Sequence, residues 1–231
     1  MSELPAFVGT PEVNRIYNTD ALTLLRACKS RSVDLTLTDI PYGAVNRQTN
    51  GLRLIDKGVA DVVNFDLFEV AAQIERVTRG SIYIFCEWAQ ISDLIEYYRH
   101  RHTVRLCTWE KTNPSPMNGE HVWLSSTEYC VFVKKSGAVF NEHCRSSVWR
   151  CPTESDQLHP TQKPERLMRR LIAASSRPGD LVCDPFAGSG SSLLAAYLLE
   201  RDYIGSDTSM EYVEIARRRL AQPYTVPMFV A

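Results

Sequence analysis

The sequence predicts an α/β fold in which a mostly parallel central sheet is flanked by helices. Short runs of β-branched and aromatic residues alternate with helical patterns along most of the 231 residues, and this alternation favours parallel strands joined by helices. An apolar run at 181–184 also leads into a glycine-rich turn that opens a helix. Because open parallel sheets bind ligands beyond the carboxyl ends of their strands, we expect the functional residues there.

The predicted elements follow one another in order along the chain. The strands are the short runs rich in β-branched and aromatic residues, at 15–18, 33–38, 81–85, 104–109, 128–134, 181–184 and 203–206. The helices are the segments with apolar residues at helical spacing, at 20–28, 66–78, 90–100, 164–175, 191–200 and 210–220. In the last helix we expect the arginines at 217–219 to lie on the solvated surface.

Three polar stretches fit neither pattern: 43–64, 111–126 and 141–163. Structureless loops of this length in a compact domain are usually functional or disordered. No linker divides the chain, so we expect a single domain over residues 1–231. No strand pattern follows Leu220, and we therefore expect the strand at Ile16 to lie beside the strand that ends near Asp207.

Composition excludes several classes of protein. Lys plus Arg number 26 and Asp plus Glu 27, so any contact with a polyanion must be a local basic patch. The seven cysteines are scattered without metal-ligand spacing, which predicts reduced thiols in a cytoplasmic compartment and no metal. No apolar run has the length of a membrane span, and the first residues lack a secretory signal. Trp109, Trp123 and Trp149 are expected to pack in the core or against loops.

The segment 182–193 carries the sharpest local signal. Asp184 ends an apolar strand, and Gly188 and Gly190 remove side chains so that the backbone can approach a ligand at the helix start. The segment lacks both the Gly-Lys-Ser/Thr ending of a phosphate loop and the third glycine of a dinucleotide fingerprint. A nucleoside ligand without pyrophosphate fits better. Asp207 follows at about the spacing, roughly 20 residues, of an acid that binds ribose hydroxyls.

A second motif, Asp39-Ile40-Pro41-Tyr42, ends the strand at 33–38. A planar amine could donate to the Asp39 carboxylate and to a backbone carbonyl while Tyr42 covers the ring. By itself, this tetrapeptide is equally typical of a plain turn. Together with the glycine-rich turn, it favours a site for a planar amine beside a nucleoside cofactor.

In this order the two motifs resemble the S-adenosylmethionine-dependent amino-methyltransferases of DNA, in the beta-type, circularly permuted arrangement of their Rossmann-like fold. The family's catalytic tetrapeptide is Asp-Pro-Pro-Tyr or Ser-Pro-Pro-Tyr, and its cofactor loop reads Asp-Pro-Phe-x-Gly-x-Gly. The cofactor loop is complete here from Asp184 to Gly190. In the tetrapeptide, Ile40 stands where the family usually has proline. The segment 159–164 is similar to the one that precedes the cofactor loop, and Asp20 resembles the acid that contacts the cofactor adenine.

The resemblance implies methyl transfer from S-adenosylmethionine to the N6 amine of a flipped-out adenine in DNA. The catalytic residues it implies are Asp39, Ile40, Pro41 and Tyr42. The cofactor-binding residues it implies are Asp20, Thr161, Lys163, Asp184, Pro185, Phe186, Gly188, Ser189, Gly190, Ser191 and Asp207. The candidates for contacts to DNA phosphates, in or beside the three polar loops, are Arg47, Arg53, Lys111, Arg145 and Arg150. Lys163 could instead serve as a further phosphate contact.

Two other interpretations stay open. N4-cytosine methylation shares the fold and the geometry, although an acid rather than serine at position 39 favours adenine. A catalytically silent cofactor- or DNA-binding module is the other, because Ile40 lacks the fixed φ of proline. The resemblance also suggests a restriction-modification setting, a cytoplasmic location without membrane contact, target recognition by the three polar loops, and an oligomeric state that could be a homodimer.

Overall fold

A computed structural model describes residues 9–42, 65–116, 119–153 and 163–222. The strands are β1 (Arg15–Asn18), β2 (Val33–Asp39), β3 (Thr78–Cys86), β4 (Thr103–Lys111), β5 (Thr127–Lys134), β6 (Val148–Cys151), β7 (Leu181–Asp184) and β8 (Asp202–Asp207). The helices are α1 (Ala21–Ala27), α2 (Leu67–Val77), α3 (Ile91–Arg99), α4 (Glu165–Ser175), α5 (Ser191–Leu198) and α6 (Met210–Leu220), and a 3₁₀ turn at Trp88–Gln90 precedes α3.

The eight strands form one sheet in the order β1-β8-β7-β2-β3-β5-β4-β6. Strand β5 is antiparallel to both of its neighbours, while the other strand pairs are parallel. The other seven strands therefore end at one side of the sheet, which we call the carboxyl edge. Because β5 runs in the opposite direction, its first residues also lie at this edge.

The order of the strands confirms the predicted permutation. Strand β1 pairs with β8, with Ile16 opposite Gly205 and Asn18 opposite Asp207. Strand β7 lies near the centre, between β8 and β2. The start of the chain thus completes the half of the sheet that the last two strands begin, as expected from the lack of a strand pattern after Leu220.

Helices cover both faces of the sheet. Side chains of α1, α2 and α3, such as Leu24, Ile74 and Leu94, join one buried cluster, and side chains of α4, α5 and α6, such as Leu171 and Leu193, join another. The sheet therefore lies between two layers of helices, and its carboxyl edge is left for the loops.

Buried aromatic and thiol side chains lie in these clusters. Trp109 and Trp149 are 1% and 6% exposed, which confirms that they are packing residues. The predicted burial of the thiols in apolar strands also holds, since Cys86, Cys130 and Cys183 are buried.

Most element bounds agree with the prediction within a few residues, and two helix starts show why they shift. The predicted helices began at Asp20 and Asp66, which are instead the N-cap residues of α1 and α2. Each side chain accepts a hydrogen bond from an amide in the first turn, the usual task of an aspartate at this position.

Strand β6 was not predicted, and the interpretation of 141–163 as a structureless loop is wrong over Val148–Cys151. The strand has only four residues and lies at the end of the sheet, paired in parallel with β4 so that Trp149 faces Trp109. A run this short is decided by its pairing with a distant strand, and its own sequence gives little signal.

Candidate active site

Asp184, at the end of β7, braces the turn that follows it. Its Oδ1 accepts hydrogen bonds from the Thr38 hydroxyl at 2.7 Å and from the Phe186 amide at 3.1 Å. The Ser192 hydroxyl donates to Oδ2. Burial raises the pKa of Asp184 to about 6, although these donors favour the charged form. Both carboxylate oxygens are engaged by the protein, so the residue shapes the turn.

That turn, residues 185–190, is called here the glycine turn; Gly188 is half-buried in it, whereas Gly190 is buried. Gly188 and Gly190 have φ angles of 50° and 78°, in the left-handed region that favours glycine. A Cβ at Gly190 would lie 2.8 Å from the Cβ of Ala216 in α6. Helix α5 begins immediately afterwards, and the first amides of a helix are free to donate to a ligand.

Arg219 supports the glycine turn from α6. The expectation that the arginines at 217–219 are solvated surface was wrong for Arg219, whose residue is only 8% exposed. Its Nη1 donates to the Ser189 carbonyl at 2.7 Å and to the hydroxyls of Ser189 and Ser191 at 3.2 Å. The long side chain reaches from the last turn of α6 to the start of α5, a contact that helical periodicity does not reveal.

Asp207, at the end of β8, meets the same turn from the neighbouring strand. Its Oδ2 accepts from the Gly188 amide at 2.9 Å, and its Oδ1 accepts from the Ser209 amide at 2.8 Å. Burial raises the pKa of Asp207, and the two amides oppose that rise. Each oxygen keeps a further lone pair, so this half-buried carboxylate can still accept hydrogen bonds from a ligand.

The end of β1 brings Asp20 to the same corner. The Thr19 amide donates to the Asp207 carbonyl at 3.1 Å, which holds the ends of β1 and β8 together. Asp20 caps α1 by accepting from the Thr23 amide at 2.9 Å and from the Thr23 hydroxyl at 2.6 Å. The buried Thr19 hydroxyl has no hydrogen-bond partner among the described residues. An unpaired hydroxyl beside two acids suits a polar ligand at this corner.

The tetrapeptide Asp39-Ile40-Pro41-Tyr42 leaves the carboxyl edge at the end of β2. Ile40 is 1% exposed, and its amide donates to the Phe85 carbonyl at 3.1 Å, so packing and a backbone hydrogen bond fix this position without a second proline. The Tyr42 hydroxyl donates to Asp39 Oδ1 at 2.7 Å. Burial raises the pKa of Tyr42, and the charge of Asp39 raises it further. The hydroxyl therefore stays protonated and donates to the acid.

The tetrapeptide and the glycine turn are direct neighbours. Strands β2 and β7 pair in parallel, and the Thr38 hydroxyl, one residue before Asp39, makes the 2.7 Å hydrogen bond to Asp184. The residue before the predicted catalytic acid thus contacts the acid that opens the turn. The two motifs, distant in sequence, form one site.

Four charged side chains beside this site form an alternating series, called here the charge chain. Lys163, two residues before α4, donates to Asp39 Oδ2 and lies 3.0 Å from Glu128 Oε2. Glu128 is the second residue of β5. The Nζ of Lys111, at the end of β4, lies 2.7 Å from the Oε1 of Glu128. The side chains of Lys163 and Glu128 are 6% and 22% exposed. The charges alternate from Lys111 through Glu128 and Lys163 to Asp39.

These charges hold one another in the ionised state. Burial alone would lower the pKa of Lys163, but Asp39 and Glu128 outweigh it and raise that pKa. Burial alone would raise the pKa of Glu128, but Lys163 and Lys111 outweigh it and lower that pKa. Burial raises the pKa of Asp39 against the opposing effect of Lys163, and Glu128 adds to the rise. Asp39 is therefore a more basic carboxylate than an exposed aspartate.

Glu128 was missed by the sequence analysis. An acid at the start of an apolar strand is ordinary, and nothing in the strand's own sequence tells that β5 runs against its neighbours. That direction is what brings Glu128 to the carboxyl edge beside the end of β4. The available signal was a lysine two residues after one predicted strand and an acid that begins the next, at the two ends of a long polar loop.

Several predicted contacts lie outside the described residues or inside the charge chain. Arg47, Arg53 and Thr161 are outside the described residues. Lys111 and Lys163, predicted to bind DNA and the cofactor respectively, are instead seen paired with carboxylates, and the Lys111 side chain is 17% exposed. The roles predicted for all five residues stay predictions.

The other two predicted DNA contacts are exposed arginines near β6. The side chain of Arg145 is 70% exposed and lies 3.6 Å from Glu142, and that of Arg150 is 72% exposed and lies 3.0 Å from Glu110. Surface ion pairs of this kind are weak. Both guanidinium groups are therefore open to another anion.

Trp123 contradicts its expected packing role, because the residue is 99% exposed. It lies in the loop that joins β4 to β5 at the carboxyl edge, between Val122 and Leu124, which are 63% and 39% exposed. A tryptophan signals packing only on average. Here the loop presents it to the solvent on the side of the sheet that carries the site.

Within the described ranges, no three His, Cys, Asp or Glu side chains come together in a group that could hold a metal ion. None of the helices in the described part of the chain has the length and apolar character needed to cross a membrane.

Comparisons with known proteins agree with one another. Residues 33–218 match a family described as DNA methylase. Type II methyltransferase M2.MboI of Moraxella bovis is 27% identical over an alignment of 247 positions, which covers 93% of this chain and 90% of that protein. DNA adenine methyltransferase YhdJ of Escherichia coli (strain K12) is 30% identical over an alignment of 247 positions, which covers 90% of this chain and 83% of that protein.

A solved structure matches along nearly the same length. M1.HpyAVI, crystallised as a complex with S-adenosylmethionine (SAM), superposes with a TM-score of 0.70 at 30% sequence identity. The match covers 90% of this chain and 99% of that one. The similarity therefore includes both halves of the sheet and the two motifs at its carboxyl edge.

Proposed function

The chain belongs to the DNA methylase family, and on that premise we propose that it transfers a methyl group from S-adenosylmethionine to the N6 amine of a flipped-out adenine in DNA. The observation that carries the proposal is the hydrogen bond between Thr38 and Asp184. It joins the strand end that bears Asp39 to the strand end that bears the glycine turn. An amine held at Asp39 would therefore lie beside a cofactor held at the turn, and proximity of this kind accounts for a large part of catalysis.

We assign the cofactor to the corner between the glycine turn and the ends of β8 and β1. S-adenosylmethionine supplies, when bound, a methyl group activated by the positive sulfur. Gly188 leaves the backbone bare, Gly190 lets the turn pack closely against Ala216, and the remaining lone pairs of Asp207 can accept from ribose hydroxyls. Asp20 and the unpaired Thr19 hydroxyl offer polar partners at the far side of the corner.

The rest of the glycine turn shapes this corner. Phe186 lies half-buried with its ring centroid 5.2 Å from that of Phe65, which gives the turn an apolar wall. Asp184 acts through the turn, since its oxygens are engaged by Thr38, Phe186 and Ser192. Pro185 and Ser189 belong to the same turn, and Ser191 is the first residue of α5.

The amine of adenine is a poor nucleophile because its lone pair is delocalised into the ring. Hydrogen bonds from its two N–H groups to Asp39 and to the Ile40 carbonyl would favour a pyramidal nitrogen with a free lone pair. Each Asp39 oxygen accepts one bond within the protein, from Tyr42 or from Lys163, and keeps further capacity to accept. As the nitrogen gains the methyl group it loses a proton, which the Asp39 carboxylate is placed to receive.

The two remaining roles follow from position. Tyr42 would stack on the flipped base, with its hydroxyl held by Asp39, and so offset part of the few kcal/mol that unstacking costs. Lys163 is buried against two carboxylates, which favours a role at Asp39 over contact with a DNA phosphate. Arg145, Arg150 and the exposed Trp123 remain as the candidate DNA contacts among the described residues.

The setting in the cell follows from the thiols. All seven cysteines are free, and six of them are buried. Buried thiols that remain unpaired fit a reducing compartment, and we place the protein in the cytoplasm with the DNA that it modifies.

The test is to incubate the protein with labelled S-adenosylmethionine and unmethylated plasmid DNA, digest the DNA to nucleosides, and identify the labelled product. We expect N6-methyladenine. Recovery of N4-methylcytosine would contradict the substrate, and cofactor binding without any labelled nucleoside would identify a silent module. An Asp39→Ala protein, run in parallel, controls for contaminating methyltransferases.

A further inference from the structure

We propose that Glu128 is a positioning residue for methyl transfer, which fixes the orientation of Asp39 through Lys163 and offsets the charge of Lys163 by its own. The inference rests on the proposed function, because that function supplies the amine that Asp39 would bind. It adds a residue that belongs to neither sequence motif. It also assigns Lys111 the task of holding Glu128 in place.

The contacts run in one direction through the charge chain. Lys163 Nζ lies against Asp39 Oδ2 and is 3.0 Å from Glu128 Oε2. Lys111 Nζ is 2.7 Å from Glu128 Oε1. Among the described contacts, Glu128 is joined to Asp39 through the ammonium group that they share, so it can orient the acid without touching the reacting base.

Burial makes this arrangement strict. The Lys163 side chain is 6% exposed, and its ammonium also lies 5.2 Å from the Phe85 ring centroid and 5.5 Å from that of Tyr42. A flexible lysine would otherwise sample many rotamers. Because it is held between two carboxylates and two rings, the ammonium group stays against Asp39 Oδ2. The Oδ1 atom of that acid is thereby turned towards Tyr42.

Charge gives Glu128 its second effect. Two acids and two lysines balance, so the buried group has no net charge when all four are ionised. Lys163 alone would make Asp39 a weak base, because a nearby cation stabilises the carboxylate. The negative charge of Glu128 opposes this and raises the pKa of Asp39. Asp39 can thus be ionised and still accept a proton from the amine.

Other groups that face Asp39 also act on its titration. They come from the strands and loops packed around it and are Tyr42, Cys86, Glu128, Cys130, Lys163 and Asp184. The thiols stay protonated, since burial raises the pKa of Cys86 to about 12 and raises the pKa of Cys130 well above its ordinary value. Of these groups, Glu128 and Lys163 are the oppositely charged pair that a single substitution can unbalance.

The first experiment is Glu128→Gln, which keeps an oxygen that can accept from Lys163 and removes the charge. We expect kcat to fall by about tenfold, a modest part of the roughly 100- to 10,000-fold that a placed acid or base contributes. We also expect the acidic limb of the kcat profile to move to lower pH, because Asp39 becomes more acidic. KM for S-adenosylmethionine and for DNA should stay unchanged, since Glu128 touches neither.

The matched control is Glu75→Gln in α2. Glu75 is also a half-buried acid, 19% exposed, that lies 3.1 Å from Arg101 and 2.7 Å from His102. It is distant from the carboxyl edge of the sheet. This variant should lose some stability while its kcat and pH profile stay those of the parent protein. An equal change of the pH profile in both variants would contradict a specific role for Glu128.

A double-mutant cycle tests the route through Lys163. At a pH well above the acidic limb, where Asp39 is ionised in every variant, Glu128→Gln should change kcat by less than twofold in a Lys163→Met background, because the group through which Glu128 orients Asp39 is gone. The direct effect of its charge on the pKa of Asp39 should remain. Effects that multiply fully would overturn the route. Failure of Glu128→Gln to alter kcat in the parent protein would overturn the inference outright.

The last measurement separates this inference from the proposed function. The carboxyl carbon of ¹³C-labelled Asp39, assigned with Asp39→Asn, is titrated by NMR in protein without DNA. We expect the pKa to be lower in Glu128→Gln than in the parent. An unchanged titration contradicts the inference whether or not the protein methylates DNA, whereas a shifted titration in a protein that makes no methylated nucleoside contradicts the proposed function.

Discussion

The glycine turn and the charge chain lie on neighbouring strand ends, but they are built in opposite ways. The turn is one continuous segment, shaped by backbone angles and by donors to Asp184 and Asp207. The charge chain collects Lys111, Glu128 and Lys163 around Asp39 from four separate places in the sequence. The shape of a turn can thus be encoded in one stretch of chain, whereas the basicity of an acid depends on the whole fold.

The largest expected effect separates the two regions directly. Asp39→Ala removes the acceptor for the amine, and methyl transfer should fall by more than about 100-fold, the lower range for a placed acid or base. Cofactor affinity, measured by calorimetry, should stay within about twofold, because the corner assigned to the cofactor is intact. A normal rate of methylation in this variant would show that Asp39 is not the acceptor.

The next effect tests whether the turn depends on backbone shape alone. Gly190→Ala adds a Cβ at 2.8 Å from that of Ala216 on a backbone with φ of 78°. We expect a loss of about 2–4 kcal/mol in the free energy of unfolding, because the left-handed backbone and overpacking both destabilise the variant. We also expect weaker binding of the cofactor, because the turn is distorted.

Gly137→Ala is the control for Gly190→Ala. Gly137 has nearly the same φ, 76°, and open space around a Cβ. It should lose only the backbone part, about 1–2 kcal/mol, with normal cofactor affinity. Equal losses in urea denaturation would mean that the contact with Ala216 has no influence on the turn.

Arg219→Met tests the buried support of the turn by a charged group. Three hydrogen bonds to Ser189 and Ser191 disappear, and hydrogen bonds from a charged group contribute about 1.5–3 kcal/mol. We expect a lower midpoint of thermal unfolding and weaker cofactor binding. Arg218→Met removes the neighbouring, exposed arginine and should change neither quantity. If both variants behave alike, the contact of Arg219 with the turn is without consequence.

The smallest effect concerns the loop between Lys111 and Glu128. Trp123→Ala should weaken binding to plasmid DNA by about 1 kcal/mol, the low end for stacking of one base on an aromatic ring. Stability should not change, because the side chain is 99% exposed. Tyr197→Ala, near the end of α5, removes an aromatic residue that is 48% exposed at the opposite edge and should leave DNA binding intact. Unaltered DNA affinity in Trp123→Ala would exclude this loop contact.

Local patterns carried most of the fold. The bounds of β1, β7 and α6 agree with the sequence prediction to the residue, since each has a clear apolar pattern with polar or turn residues at its ends. Parallel pairing and the place of β1 followed from the alternation of elements. Strand β6 did not, because four residues at the end of a sheet become a strand only through pairing with β4.

The site divides along the same line. The motifs placed Asp39, Asp184 and Asp207 at neighbouring strand ends, because each acid directly follows or ends a recognisable strand. Glu128 and Arg219 escaped prediction for a different reason. Their partners lie far away in sequence, and the direction of β5 or the reach of a side chain across two helices is a property of the packed molecule.

The pairing of β1 with β8 also sets a timetable for synthesis. Asn14 and Tyr203 lie 189 residues apart, yet the side chain of the first accepts from the amide of the second at 3.1 Å. A ribosome that adds about 5–20 residues per second leaves β1 without this neighbour for roughly 10–40 s. Until β8 emerges, the corner of Asp20 and Asp207 does not exist and β1 has an open edge. With the cofactor at the corner proposed above, we expect a chain interrupted before β8 not to retain S-adenosylmethionine, so that tight binding marks molecules whose synthesis has passed that strand.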